Sequence, residues 1–256
     1  SDIVAEIDSE AAYTSLGVSS GFGARFDVSA TVLVTSHFPG VMDGFLQWYH
    51  GLFGFPNADR DLRPDYALKF YLENSDRVLL HEDDALLTLS ALQLEPRLLL
   101  YKGSSVPLIV TAGSLVKIPV NISSHDLLSG GVDVALRIYS DYDIPHFSFH
   151  ASVGVAYLST PGFARATEFT NFSVPFFFSA EWQLRPALFL VSTINGMTSP
   201  FETGYIRADK FSSNLTFGTR IEVGPQSSLE MSMSQEFLTF AATDVALNLA
   251  YSKRIK

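Results

Sequence analysis

The sequence predicts an all-β fold, a transmembrane antiparallel β-barrel of about 12 strands with one amphipathic helical insert. Apolar and polar residues alternate almost without interruption between Gly131 and Tyr157, as in β-strands with two different faces. The polar positions of this stretch carry residues such as Arg137 and Ser152, which suit a hydrated wall better than a packed core. The mean hydropathy is +0.19, yet no apolar run is long enough for a spanning helix. The apolar residues are therefore dispersed, as barrel strands require.

The composition fits one barrel domain that covers residues 1–256. Of these residues 47% are hydrophobic and 17% are charged, and the net charge of −10 argues against nucleic acid as a partner. The chain has no cysteine, which excludes a disulfide, a thiolate metal site and a cysteine nucleophile. Because Ser1 opens directly on a polar, strand-like segment, we expect that a signal peptide has been removed.

Alternation and turn signals together divide the chain into an even number of strands, as in bacterial single-chain barrels. Each strand carries an outward apolar stripe, for example Leu136 and Ile138 in the sixth strand and Leu247 and Leu249 in the last. We expect strands at residues 2–16, 23–37, 65–74, 88–101, 106–120, 131–143, 146–159, 168–182, 186–198, 209–222, 228–239 and 243–254.

The lengths of the connections orient the predicted barrel. Those after the fourth, sixth, eighth and tenth strands are short, and those after the third, fifth, seventh and ninth are longer. Short periplasmic turns and long external loops are typical of outer-membrane barrels, so this pattern places both ends of the chain in the periplasm. Aromatic residues near strand ends are candidates for the interface girdles: Tyr101, Tyr142, Tyr157, Trp182 and Tyr251.

One connection departs from this rule. The insert at residues 38–64 follows the second strand, where a short periplasmic turn is expected. Its apolar residues recur at helical spacing on one face, with Asp43, Gln47 and His50 on the other, and Pro56 ends the helix. We expect a periplasmic amphipathic helix that either lies on the periplasmic leaflet or tucks into the barrel mouth, and whose apolar face is covered by a partner protein or by a partner together with the leaflet. The predicted contact residues are Met42, Phe45, Leu46, Trp48, Tyr49, His50 and Phe53.

The insert also carries a family resemblance. The run from Met42 to Phe45, Trp48-Tyr49-His50, the stretch from Phe53 to Asn57, Arg60-Asp61 and Pro64 resemble the signature of a bacterial domain-of-unknown-function family of predicted outer-membrane β-barrels. The resemblance is centred on residues 40–64. It implies a barrel in a Gram-negative outer membrane and implies no activity or catalytic residue.

Charged residues of both signs fall on the predicted inner face. We expect a lumen charge network that includes Glu95, Arg97, Lys117, Asp133 and Arg137. Long side chains can meet across a barrel of this size, so the network can hold a closed interior together. The alternative is a narrow pore for small polar solutes. Mixed signs favour neutralised pairs over a field that steers one kind of ion, so the structural interpretation is preferred.

Enzymatic and cofactor motifs are weak. His150 and Ser152 share a strand face and resemble the His-x-Ser pair of outer-membrane phospholipases, but that face is the lumen and a lipid hydrolase needs the membrane side. The acidic run from His81 to Asp84 lies in a predicted loop and lacks the spacing of a calcium loop. The sequence therefore predicts no catalytic residue, no metal site and no cofactor.

These observations predict a non-enzymatic structural or interaction component of an assembly in the bacterial outer membrane. The expected partners are outer-membrane lipid and, through the 40–64 segment, other outer-membrane or periplasmic proteins. The alternatives are the narrow pore and, with less support, a membrane-embedded lipid hydrolase. A soluble sandwich or lipocalin-like barrel fits poorly, because the strands are many and long and have polar inner faces.

Overall fold

The structure is a computed structural model that describes residues 3–8, 10–40, 42–54, 68–74, 77–82, 86–120, 131–160, 169–200, 211–236 and 245–255. The elements of these residues, in chain order, are β1 Ile3–Asp8, β2 Glu10–Phe22, β3 Phe26–Phe38, α1 Asp43–Phe53, β4 Lys69–Asn74, β5 Arg77–Glu82, β6 Leu86–Lys102, β7 Leu108–Pro119, β8 Asp133–Ile144, β9 Phe147–Tyr157, β10 Phe172–Ser173, β11 Pro175–Arg185, β12 Leu188–Met197, β13 Ser212–Gly224, β14 Ser227–Glu236 and β15 Val245–Lys253. Among them, no helix has both the length and the apolar character needed to span a membrane.

The main sheet has the strand order β15-β14-β13-β12-β11-β9-β8-β7-β6-β3-β2, and the short β10 pairs with β9. Every neighbouring pair is antiparallel. The turns at one end of the sheet have two to five residues and are called the short turns; the connections at the other end are longer. The short connections predicted after the fourth, sixth, eighth and tenth strands are confirmed.

A second sheet, in the order β1-β4-β5, extends three strands of the main sheet. β1 leads into β2 across Ser9, and residues 83–85 join β5 to β6, so β1-β4-β5 repeats the order β2-β3-β6. The prediction of a separate barrel strand at 65–74 is therefore wrong, because β4 pairs with β1 outside the main sheet. The predicted strand at 2–16 is likewise divided, since β1 belongs to the second sheet and β2 to the main one.

Because the segment at 65–74 is not a strand of the main sheet, the two strands before it run in the opposite direction to the one predicted. The β2–β3 hairpin consequently turns at the end with the short turns, and α1 lies at the opposite end, with the longer connections. β2 begins at the α1 end, whereas β15 ends among the short turns, so the described chain does not start and finish on one side. The premise that the insert replaces a short turn is corrected, while the side of the membrane that it faces stays a prediction.

The main sheet is strongly curled, because α1 contacts strands near both of its ends. The backbone N–H of Met42, at the start of α1, donates to the Glu10 carboxylate on β2 at 2.5 Å, and the Tyr49 hydroxyl donates to the Gln235 side chain on β14 at 2.9 Å. In a flat sheet of this strand order β2 and β14 would lie about 43 Å apart. Met42 and Tyr49 are separated by only about 10 Å of helix. The sheet must therefore bring its two ends together around α1.

The two faces of the curled sheet differ as the alternation predicts. Large apolar side chains on one face are exposed, with 65% exposure at Leu136 and 71% at Leu249. Neighbouring residues of the other face are more covered, and Ala135 and Ala156 are buried. The covered face is the concave one and carries the polar residues, and it is called the inner wall below. The outward apolar stripes predicted from the sequence are confirmed on these strands.

Candidate functional site

The candidate site is the inner wall, where the predicted lumen residues fall into distinct groups. Glu95 and Arg97 are two residues apart on β6 and form a bidentate ion pair, with Nε–Oε1 and Nη2–Oε2 distances of 3.1 and 3.0 Å. Tyr139 on β8 donates its hydroxyl hydrogen bond to Glu95. The Arg97 guanidinium carbon lies 4.8 Å from the centroid of the Tyr139 ring, within cation–π range. Arg97 and Tyr139 both donate to the Glu95 carboxylate, and these hydrogen bonds hold the three side chains in one geometry.

A second predicted pair joins β7 to β8. Lys117 and Asp133 lie directly opposite each other in the register, and Nζ is 2.9 Å from Oδ2. The other carboxylate oxygen of Asp133 accepts from the backbone N–H and the hydroxyl of Ser159, at 2.8 and 2.9 Å. Both oxygens of Asp133 are therefore occupied, and the pair anchors the start of β8.

Arg137, the fifth predicted lumen residue, has a different environment. It lies in one cross-strand row with Arg97, Gly113 and Gly154, in the order Arg97, Gly113, Arg137, Gly154. A Cβ on Gly154 would come within 2.7 Å of Arg137 Cγ, so the arginine lies against the glycine. Its Nε is buried and has no hydrogen-bond partner among the described residues. The structure thus pairs four of the five predicted residues and leaves Arg137 apart.

The structure reveals a further charged cluster between β8 and β13. Asp141 and His150 are cross-strand neighbours, with 2.6 Å between Oδ1 and Nδ1. The other ring nitrogen of His150 is 4.0 Å from Glu181 Oε1. Glu181 receives a bidentate pair from Arg220, at 3.0 and 2.6 Å, and Arg220 stacks on Phe189. The inward parity of all four charged residues was visible in the sequence, but the pairing depends on strand register, which was not.

The geometry around His150 bears on the lipid-hydrolase alternative. Its Nδ1 contacts Asp141, as an orienting carboxylate would, but its Nε2 faces Glu181 instead of a hydroxyl group. Ser152 lies opposite Tyr139 in the β8–β9 register. An Asp–His–Ser relay needs the serine hydroxyl on Nε2. The described residues also contain no group of three or more His, Asp or Glu side chains placed to hold a metal ion. The acidic run at His81 begins inside β5, and its last two residues lie outside the described ranges.

Beside its charged residues, the wall from β11 to β15 also carries small hydroxyl and amide groups. Their side chains bond to one another across the strands at Thr193–Ser179 (2.8 Å), Thr216–Ser234 (2.7 Å), Asn248–Ser234 (3.0 Å) and Ser228–Ser252 (2.7 Å). These bonds join neighbouring strands through short side chains of the inner wall.

Helix α1 presents its faces differently from the prediction. Leu46, Tyr49 and His50 are buried, and His50 is only 5% exposed, although the sequence had placed it on the polar face. This is a correction, because the buried arc is rotated toward His50 and away from Trp48. Phe45, Trp48 and Leu52 form an exposed apolar flank, with Trp48 at 60% exposure. Met42 is half-buried, and the side chain of Phe53 lies outside what the structure describes.

Comparison with known proteins fits this architecture. No curated protein matches the sequence. Among solved structures, an outer membrane channel from Pseudomonas putida F1 is similar over 95% of this chain and 82% of its own, with 11% identity and a TM-score of 0.59. That likeness concerns the fold, which is a transmembrane antiparallel β-barrel. The family model described as Protein of unknown function (DUF3187) matches residues 3–255, and the chain therefore belongs to that family.

Proposed function

We propose that the protein is a non-enzymatic barrel of the bacterial outer membrane that lets small polar solutes pass along its inner wall. The observation that carries this proposal is that the ion-paired side chains of the wall keep contact with solvent. The side chains of Arg97 and Asp141 are each 38% exposed, and that of His150 is 33% exposed. In a packed core such groups would be fully covered. Partial exposure of paired charges fits a water-filled interior, which favours the pore alternative over a closed network.

The outer surface supports a membrane location. Apolar side chains are exposed all along the convex face, in a patch too extensive for a soluble monomer. Tyr142, Trp182 and Tyr251 are exposed near the short turns, and Tyr157 packs edge-on against Phe172 at the opposite end. Aromatic residues at both ends of an apolar band are typical of membrane barrels. The similar protein from Pseudomonas putida is itself called an outer membrane channel, which adds to the support.

The proposal is tested by reconstituting the purified chain in planar bilayers and in liposomes. We expect steady single-channel steps, together with swelling of the liposomes in small sugars that declines as the sugar becomes larger. A non-inserting mutant barrel, made by placing arginine on the lipid face, serves as the control for leakage. Bilayers that stay sealed while the inserted protein is fully folded would contradict the proposal.

A role as an interaction component is the second candidate, and the exposed flank of α1 favours it. Phe45, Trp48 and Leu52 leave apolar surface uncovered at the α1 end of the barrel. The chain has no cysteine, so single cysteines can be introduced cleanly. We expect Trp48→Cys to cross-link to a membrane neighbour in native envelopes, whereas Ser104→Cys in a short turn does not. Equal cross-linking from both positions would contradict this role for α1.

A further inference from the structure

We propose that Arg137 binds the carboxylate of a small monoanionic solute on the inner wall. The inference rests on the proposed function insofar as the solute must reach the wall through water. Four cations lie on the inner wall between the ends of the described strands, namely Arg97, Lys117, Arg137 and Arg220. Three of them have a carboxylate within about 3 Å, the distance of a charge-assisted hydrogen bond.

Arg137 has no such partner among the described residues. The Glu95 carboxylate is close to Arg137, but it already accepts hydrogen bonds from Nε and Nη2 of Arg97 and from the Tyr139 hydroxyl. The Nε of Arg137 is buried without a hydrogen bond. A buried N–H group without an acceptor is costly, and an anion held by the same guanidinium offsets part of that cost. The site is therefore built for an acceptor that the described chain does not supply.

The neighbouring strands supply no acceptor for Arg137. The residues directly opposite Arg137 are Gly113 on β7 and Gly154 on β9. A Cβ at Gly154 would lie 2.7 Å from Arg137 Cγ, and a Cβ at Gly113 would lie 3.1 Å from Tyr139 Cε2 and 3.2 Å from Arg97 Cγ. Because neither glycine carries a side chain, the cross-strand neighbours offer the Arg137 guanidinium no side-chain acceptor, and a solute can supply one.

The chemistry of the surroundings selects the kind of anion. A guanidinium fork matches a planar carboxylate in a bidentate contact. The Glu95 carboxylate lies close to Arg137, so a second negative charge on the solute would be repelled. A monocarboxylate therefore fits better than phosphate or a dicarboxylate.

The test is arginine labelling of the purified full-length barrel with phenylglyoxal, read by peptide mass spectrometry. We expect Arg137 to be modified faster than Arg97 and Arg220, whose donors are engaged, with exposed Arg185 as the reference for maximal reactivity. Benzoate should slow the modification of Arg137 alone, and equal concentrations of chloride or phosphate should not. Modification of Arg137 no faster than that of Arg97, or modification unaffected by benzoate, would overturn the inference.

Equilibrium dialysis of radiolabelled benzoate gives a second measurement that does not depend on conduction. Binding should be lost in Arg137→Gln and weakened in Arg137→Lys, which keeps the charge without the fork, and retained in Lys117→Gln. Benzoate protection in a barrel that conducts nothing would support the site and contradict the proposed function. Conduction without benzoate binding would contradict the site alone.

Discussion

Lys117 and Asp133 face each other across β7 and β8, and their charged atoms are 2.9 Å apart on the inner wall. Removing one partner leaves the other charge only partly solvated. We expect Lys117→Met to destabilise the barrel by about 1–2 kcal/mol, with a smaller loss in the double variant Lys117→Met/Asp133→Leu. Urea unfolding in lipid vesicles gives the free energy of unfolding of Lys117→Met, of Asp133→Leu and of the double variant. Strictly additive effects of the two single substitutions would show that the pair contributes no coupling.

The two faces of β9 provide a test of the barrel. Val153 is exposed on the outer face and Ser152 lies on the inner wall. Arginine at a lipid-facing position near the bilayer centre costs roughly 2–4 kcal/mol, whereas a hydrated wall tolerates it. We therefore expect Val153→Arg to destabilise the folded barrel by that amount and Ser152→Arg much less. The same contrast is expected for Leu247→Arg against Asn248→Arg, and equal losses on both faces would contradict the transmembrane assignment.

The glycine beside Arg137 is expected to resist any side chain. A Cβ at Gly154 would lie 2.7 Å from Arg137 Cγ and would also meet the backbone of Leu136, whereas a Cβ at Gly21 would meet nothing within 4 Å. Overpacking of this kind costs about 1–3 kcal/mol. Gly154→Ala should therefore lower the free energy of unfolding while Gly21→Ala leaves it nearly unchanged. Indistinguishable unfolding curves for the two variants would mean that β8 and β9 can separate without cost.

Helix α1 offers adjacent aromatic residues with opposite expected effects. Tyr49 is buried and bonds to Gln235, whereas Trp48 is exposed. We expect Tyr49→Ala to destabilise the barrel by about 3–5 kcal/mol through the lost packing. Trp48→Ala should leave the stability of the isolated barrel unchanged and weaken its association with neighbours in membranes. If Trp48→Ala unfolds the barrel instead, the exposed flank of α1 serves the fold and not a partner.

The arrangement of His150 leads to a prediction about lipid chemistry. Among the described residues the two ring nitrogens of His150 lie near Asp141 and Glu181, and the Ser152 hydroxyl forms no hydrogen bond with either of them. We expect no turnover of labelled phospholipid by the reconstituted protein and no difference between the native chain and Ser152→Ala. Turnover that disappears in Ser152→Ala would revive the lipid-hydrolase alternative.

Sequence reasoning succeeded where the information is local. The period of two in β8 and β9 correctly assigned the outward positions Leu136 and Val153 and the inward position Arg137, since parity is set by the strand itself. It failed where pairing is long-range. The segment at 65–74 reads as a barrel strand, yet it pairs with β1, and the contact between Asp141 and His150 depends on a register that alternation alone does not fix.

The orientation of α1 was the other error, and its cause is also tertiary. The helical period identified the helix, and a broad apolar arc left open which part of it would be buried. Contacts with β2 and β14 rotate the helix so that His50 is covered and Trp48 is not. The partner and enzyme predictions concern molecules outside the chain and stay predictions.

The place where α1 leaves the sheet has a consequence for how such a chain can change. β3 ends at Phe38 and β4 resumes at Lys69 along the same strand line, so the insert interrupts one long hairpin without altering the pairing on either side of it. Extra or missing residues in the insert would shift no strand of the barrel, because the register of β3 against β2 and β6 is fixed before the insert begins. The length of the insert can therefore change without disturbing the barrel strands, whereas the residues of α1 that contact Glu10 and Gln235 must change together with the sheet.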